Sequence, residues 1–142
     1  MIVVCPTCFT SNRIPEEKDH TQGKCGKCKS DLHTFTPAEL DDHSFEKFVG
    51  NSELPVIVDF WASWCGPCQM MKPIFDKTAA ESEILLFAKV DTEKAQRTSA
   101  NMNIRSIPTL IMFQNGQEID RVAGALQEPQ LKQWILQTLQ KA

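Results

Sequence analysis

The spacing of apolar and polar residues changes character near residue 33. Beyond it, strand-like and helix-like periodicities alternate. A short extended piece is expected near His33 to Thr36, and Asp42 or Ser44 can then cap a helix carrying Phe45, Phe48 and Val49 on one face. The stretch from Pro55 to Ala62 is almost continuously apolar, the pattern of a central strand covered on both faces. Residues 65–82 suit a helix with Cys68, Met71, Phe75, Thr78 and Ala79 on one side, bent at Pro73. Ile84 to Asp91 reads as a second buried strand, and Glu93 to Met102 as a short helix. Thr109 to Phe113 and Glu118 to Ala123 read as antiparallel strands joined through Asn115-Gly116, a strong hairpin signal. Pro129 opens a last helix with Leu131, Trp134, Ile135, Thr138 and Leu139 in register. The pattern predicts an α/β fold, a mixed sheet with helices on both faces.

Residues 1–33 carry few large apolar side chains, too few for a core without a cross-link or a metal. They do carry four of the chain's six cysteines. Cys5 and Cys8 form one C-x-x-C pair, Cys25 and Cys28 a second, with sixteen residues between. That spacing suits a structural Zn²⁺ site, one ion held by four thiolates, with two disulfides or free thiols as the alternative. Gly26 is expected to ease the second turn, and His20 and His33 are expected at the surface. The expected organisation is a four-cysteine zinc-binding module over residues 1–33 and a second domain over residues 34–142.

Charge narrows the function. The whole chain carries −3, which offers no electrostatic footprint for nucleic acid or an anionic membrane. The first 33 residues hold five basic and four acidic side chains. Four thiolates around Zn²⁺ add −2, so the metallated module comes out near −1 and nucleic-acid binding is disfavoured. No stretch has the apolar length of a membrane span, and the opening residues lack a basic leader and a signal-peptide core. A cytoplasmic, reducing location is therefore expected, which favours metal and redox roles for the cysteines over a disulfide framework.

The third pair, Cys65-Gly66-Pro67-Cys68, falls where a buried strand hands over to a helix. The free N–H groups and the positive end of the helix dipole stabilise an anion there, here the Cys65 thiolate. Cys65 would attack a client disulfide and Cys68 would resolve the mixed disulfide. Two further metal ligands or inert thiols are the competing reading. Asp59 lies inside the apolar run, either as a buried proton acceptor with a raised pKa or as a strand-end residue facing solvent. Lys89 could simply snorkel from its strand. Met70 and Met71 are expected to pack within the helix, and Trp61 beneath the site.

The segment Val58-Asp59-Phe60-Trp61-Ala62-Ser63-Trp64-Cys65-Gly66-Pro67-Cys68 resembles the active-site segment of the thioredoxin family almost residue for residue. Arg105-Ser106-Ile107-Pro108-Thr109 and Val122-Ala123-Gly124-Ala125-Leu126 resemble that family's second and third signatures. The resemblance covers about residues 34–142, and with the cysteine-rich extension the chain is most similar to the bacterial zinc-containing thioredoxin 2 subgroup. It departs at Met102, Asn103 and Ser106, where thioredoxins often have Tyr or Phe, Gly and Gly. The resemblance implies a thioredoxin fold behind a small zinc-ribbon-like module. It implies a protein-disulfide reductase in which Asp59 serves as base for Cys68 and Lys89 tunes Asp59. Pro108 would be a cis proline facing the redox pair, and Trp64, Gly66, Pro67, Ile107 and Gly124 would join it in docking clients. An NADPH-dependent thioredoxin reductase and disulfide-containing proteins are the implied partners, with a monomer as the default state. A disulfide-forming oxidase or isomerase, and a zinc-dependent binding protein, are the rival functions. The zinc is expected to be a structural staple or a redox sensor.

Overall fold

β4 (Val56–Trp61) runs through the centre of a five-stranded mixed sheet because both of its faces are apolar. The computed structural model describes all 142 residues. The sheet also contains β3 (Ala38–Leu40), β5 (Leu86–Asp91), β6 (Thr109–Gln114) and β7 (Gln117–Ala123), in the order β3-β5-β4-β6-β7. β5 is parallel to both β3 and β4, whereas β6 is antiparallel to β4 and to β7.

Alternation along β4 sends its side chains to two separate cores. Val56, Val58 and Phe60 pack with Phe45, Phe48 and Val49 of α1 (Phe45–Asn51). Ile57 faces the other way, against Met71, Phe75 and Ala79 of α2 (Gly66–Glu81) and Leu131 and Ile135 of α4 (Glu128–Leu139). Asp59 and Trp61 share the parity of Ile57 and so lie on the α2 side. The β6–β7 turn places Asn115 and Gly116 at φ of 52° and 78°, the two positive values a tight hairpin turn demands.

Several local expectations are corrected. The extended piece lies at Ala38–Leu40, not His33–Thr36, since only those three residues pair with β5. Ser44 holds the cap position of the first helix without a side-chain bond to it, and Asp41 Oδ1 accepts the N–H groups of His43 and Ser44 just ahead of that helix. Asp42 instead accepts the N–H and hydroxyl of Thr98, on α3 (Gln96–Asn101). Asn103, where thioredoxins often have Gly, sits at φ 54°.

Within residues 1–33, β1 (Ile2–Val4) and β2 (Ser11–Arg13) form a small antiparallel hairpin. Val3, Ile14 and Leu32 pack around Cys5 and Cys25, while Val4 belongs to the main core. The segment is fastened at three places. Phe9 meets Phe48 edge to face with centroids 6.4 Å apart. Ile2 and Glu53 exchange two hydrogen bonds of 2.9 and 3.1 Å, just ahead of β4. His33 Nε2 lies 2.9 Å from the Ser82 carbonyl and His20 Nε2 2.8 Å from that of Glu83, just past the end of α2. His33 is therefore not at the surface but 6% exposed.

Candidate redox and metal sites

Cys65 ends the loop after β4 and caps α2, and its Sγ accepts the Cys68 N–H at 3.2 Å. The two cysteines are joined as a disulfide with Cα atoms 5.2 Å apart. Pro67 fits the first helical turn because its missing N–H is one of the unbonded ones. Both sulfurs are recessed, Cys65 4% and Cys68 3% exposed, yet Gly66 and Pro67 between them are exposed and Trp64 beside them is 70% exposed. Ala62 and both cysteines form a small apolar cluster, with Trp61 and Ile107 packed against it. Met71 is fully buried, but Met70 is 68% exposed and does not pack within the helix.

The Ile107 carbonyl lies 3.8 Å from Cys65 Sγ, so the loop before β6 walls the pair on one side. The Ile107–Pro108 peptide is cis. Gly124 donates its N–H to the Pro108 carbonyl at 2.8 Å, at a φ of 96° that a larger side chain would resist. Ile107 is half-buried and Gly124 exposed, so redox pair, loop and glycine border one open surface.

Asp59 is 2% exposed and its Oδ1 has no hydrogen-bond partner. Burial pushes its carboxyl up to about 7, against the pull of Lys89 and with some help from Asp76. Strand register sets Lys89 directly opposite Asp59, on the same face of the sheet as Phe87.

The four N-terminal sulfurs converge to within 4.8 Å of one another, with Cys5–Cys28 and Cys8–Cys25 at 3.6 Å. Tetrahedral thiolates about 2.3 Å from a zinc ion stand about 3.8 Å apart, so the cluster fits one metal ion. The two turns repeat each other. Phe9 N–H bonds to the Cys5 carbonyl and Lys29 N–H to the Cys25 carbonyl, at 2.9 and 3.0 Å. Backbone N–H groups also reach the sulfurs: Thr7 to Cys5 at 3.4 Å, Lys27 to Cys25 at 3.4 Å. The left-handed residue in each turn is the one after its second cysteine, Phe9 at φ 62° and Lys29 at φ 69°, so Gly26 is not the residue that eases the turn. Sequence alone missed this because neither position is a glycine. The Cys28 N–H, with the Asn12 amide and Lys27 N–H, holds the Cys25 thiol down to about 6, whereas burial pushes Cys5 up to about 11. A cation is what would make all four thiolates together. No helix of the molecule is long and apolar enough to cross a membrane.

Comparison with known proteins agrees with both sites. The thioredoxin family model matches residues 36–137, and a zinc-ribbon model described as "Thioredoxin 2, N-terminal" matches residues 4–30. Thioredoxin C-3 of Corynebacterium nephridii is 46% identical over 141 residues, covering 99% of this chain and 97% of that protein. Thioredoxin 1 of a Nostoc species is 42% identical over 99 residues, 69% of this chain and 92% of its own. The crystal structure of a Malassezia sympodialis thioredoxin superposes with a TM-score of 0.65 at 34% identity, over 73% of this chain and 90% of that one. With a disulfide at the head of α2, beside the cis proline, this chain belongs to the thioredoxin family of thiol–disulfide oxidoreductases.

Proposed function

We propose that the chain is a cytoplasmic protein-disulfide reductase, monomeric and independent of nucleic acid and membrane. The Cys65 thiolate, favoured by the α2 N-terminus, attacks one sulfur of a client disulfide. A mixed disulfide forms and the client's other sulfur leaves as a thiolate that takes up a proton. Asp59 then accepts the Cys68 thiol proton, and the Cys68 thiolate attacks Cys65 Sγ, releasing the second client thiolate, which is protonated as Asp59 gives that proton up. Client gains two electrons and two protons; the enzyme is left as the disulfide. An NADPH-dependent thioredoxin reductase returns it to the dithiol. The observation that carries this reading is the disulfide at a helix N-terminus with an unpartnered buried carboxyl on the face that α2 covers.

Trp64, Gly66, Pro67, Ile107 and Gly124 form the client surface, and Pro108, itself buried, follows Ile107 in the loop that borders it. Pro108 offers no N–H, and Gly124 lets an extended client segment approach closely. Residues 1–33 are an N-terminal module, docked on the main core through Val4 and Phe9, that holds one Zn²⁺ through Cys5, Cys8, Cys25 and Cys28, and residues 34–142 are the catalytic domain. The zinc ties together a segment with few apolar side chains.

The test is turnover of a model protein disulfide with NADPH and thioredoxin reductase. Cys65→Ser should abolish it, and Cys68→Ser should trap the client as a mixed disulfide visible by mass spectrometry. Undiminished turnover by Cys65→Ser ends the proposal. Metal analysis should find one zinc per chain.

A further inference from the structure

We infer that Trp61 is a positioning residue: its indole face carries the Lys89 ammonium, holding that cation near Asp59 without letting it pair with the carboxylate. The inference deepens the reading of Asp59 as the base for Cys68 and names the residue that governs its charge.

Register makes Lys89 the obvious ion-pair partner of Asp59. The two residues stand opposite each other on adjacent parallel strands, and both side chains lie on the α2 side of the sheet. A buried carboxylate with a lysine in reach would ordinarily be bridged. Yet none of the molecule's ion pairs includes either residue, and Asp59 Oδ1 has no partner at all. Lys89 Nζ lies instead 5.0 Å from the centroid of the Trp61 ring, within cation–π range.

Trp61 itself is held firmly. Its carbonyl accepts the N–H and hydroxyl of Thr92 at 2.9 and 3.1 Å, and its side chain packs against Ala62, Cys65 and Cys68. One side chain thus touches both the redox cluster and the cation. Lys89 and Trp61 also line an open cleft of about 320 Å³ with Glu39, Asp41, Asp91 and Lys94. Glu39 on β3 is the register neighbour of Lys89 on its other side.

The charged groups around Asp59 are therefore few. β5 contributes Lys89, which lowers its pKa; α2 contributes Asp76, which raises it and is itself bridged to Lys72 at 2.9 Å, and Cys68 of α2 is tied up in the disulfide. The β6 residue paired with Asp59 is Leu110, which carries no charge. A base works best when its pKa lies near the working pH. An ammonium in contact with Asp59 would drop it well below that range, and one removed altogether would leave it higher. The indole holds the cation between these limits.

The experiment follows the Asp59 carboxyl by carbon-13 NMR titration in the full-length, zinc-loaded, oxidised protein. Trp61→Met keeps apolar bulk but removes the aromatic face, and the freed Lys89 should close on Asp59 and lower its midpoint by about one pH unit. Trp61→Phe, which keeps an aromatic face, should restore the wild-type midpoint. In a Lys89→Met background the Trp61→Met change should have no further effect. An unmoved midpoint in Trp61→Met, or an equal drop in the Lys89→Met background, overturns the inference. The wild type supplies a reading that needs no variant: the Lys89 ε-methylene protons should be shifted upfield by the indole ring current, and random-coil positions also overturn it. The pH profile of mixed-disulfide resolution is read separately. A profile that ignores a shifted Asp59 refutes the base assignment while leaving the Trp61–Lys89–Asp59 coupling intact.

Discussion

Asp59→Asn removes a buried carboxyl whose pKa is carried from 3.8 to about 7 by burial. Between those values the folded state keeps a proton that the unfolded chain has lost, so stability falls as pH rises through that window. At about 1.36 kcal/mol per pH unit, the displacement amounts to about 4 kcal/mol once Asp59 is ionised in the folded state. Asn nearly matches the protonated carboxyl in shape and has no proton to lose. The variant should therefore match the wild type near pH 4 and exceed it by about 4 kcal/mol near pH 8, the gap opening between those limits. Urea unfolding of both oxidised proteins at half-unit pH intervals measures this directly. A gap independent of pH, or one below about 1 kcal/mol at pH 8, would show that water or Lys89 already compensates the charge. The stabilised variant should be the poorer catalyst. Without a base, resolution of the mixed disulfide should slow by roughly 10²-fold.

His33→Ala should remove the bond to the Ser82 carbonyl and part of the packing under the N-terminal module, costing about 1–3 kcal/mol. Hydrogen exchange should speed at residues 79–86 while the amides around Cys65 keep their protection. Lys29→Gly should stabilise the metal-loaded protein by up to about 1 kcal/mol, because a glycine adopts the observed φ of 69° without steric cost; thermal unfolding measures it, and a lower midpoint refutes the account of the second turn. Metal removal by a strong chelator should loosen residues 1–33 and lower the unfolding midpoint of the whole chain, since Val4 and Phe9 pack against the main core. Calorimetry before and after chelation reads the difference, and an unchanged midpoint would mean the module stands alone.

Much of this was visible in the order of residues. β4 and α2 announce themselves because a strand buried on both faces and a helix with one buried face leave opposite periodicities. Asn115-Gly116 did the same for the hairpin. β3 was misplaced because three residues paired on one side leave almost no pattern. Ser44 is legible as the cap position of α1, whereas the bonds from Thr98 to Asp42 exist only once α3 docks. His33 reads as a polar linker residue until the end of α2 is brought against it. The left-handed turns at Phe9 and Lys29 were hidden because non-glycine residues occupy them. At the redox site the cysteines and the misplaced-looking Asp59 were legible as chemistry. The Trp61–Lys89 contact was not, since it arises only from strand register and the choice between two attractive partners for one ammonium.

A protein that shuffles disulfides for a living carries, in its other four cysteines, the reagents for scrambling itself. The fold answers with distance. α2 has 16 residues, about 24 Å of rigid rod, with Cys65 at its head and the His20 and His33 fastenings of the N-terminal module just past its foot. The Ile2–Glu53 tie likewise meets β4 at the end opposite the redox pair. Those fastenings tie the four-cysteine segment to the ends of α2 and β4 that lie away from Cys65, an arrangement that favours a visitor's sulfur over a resident one.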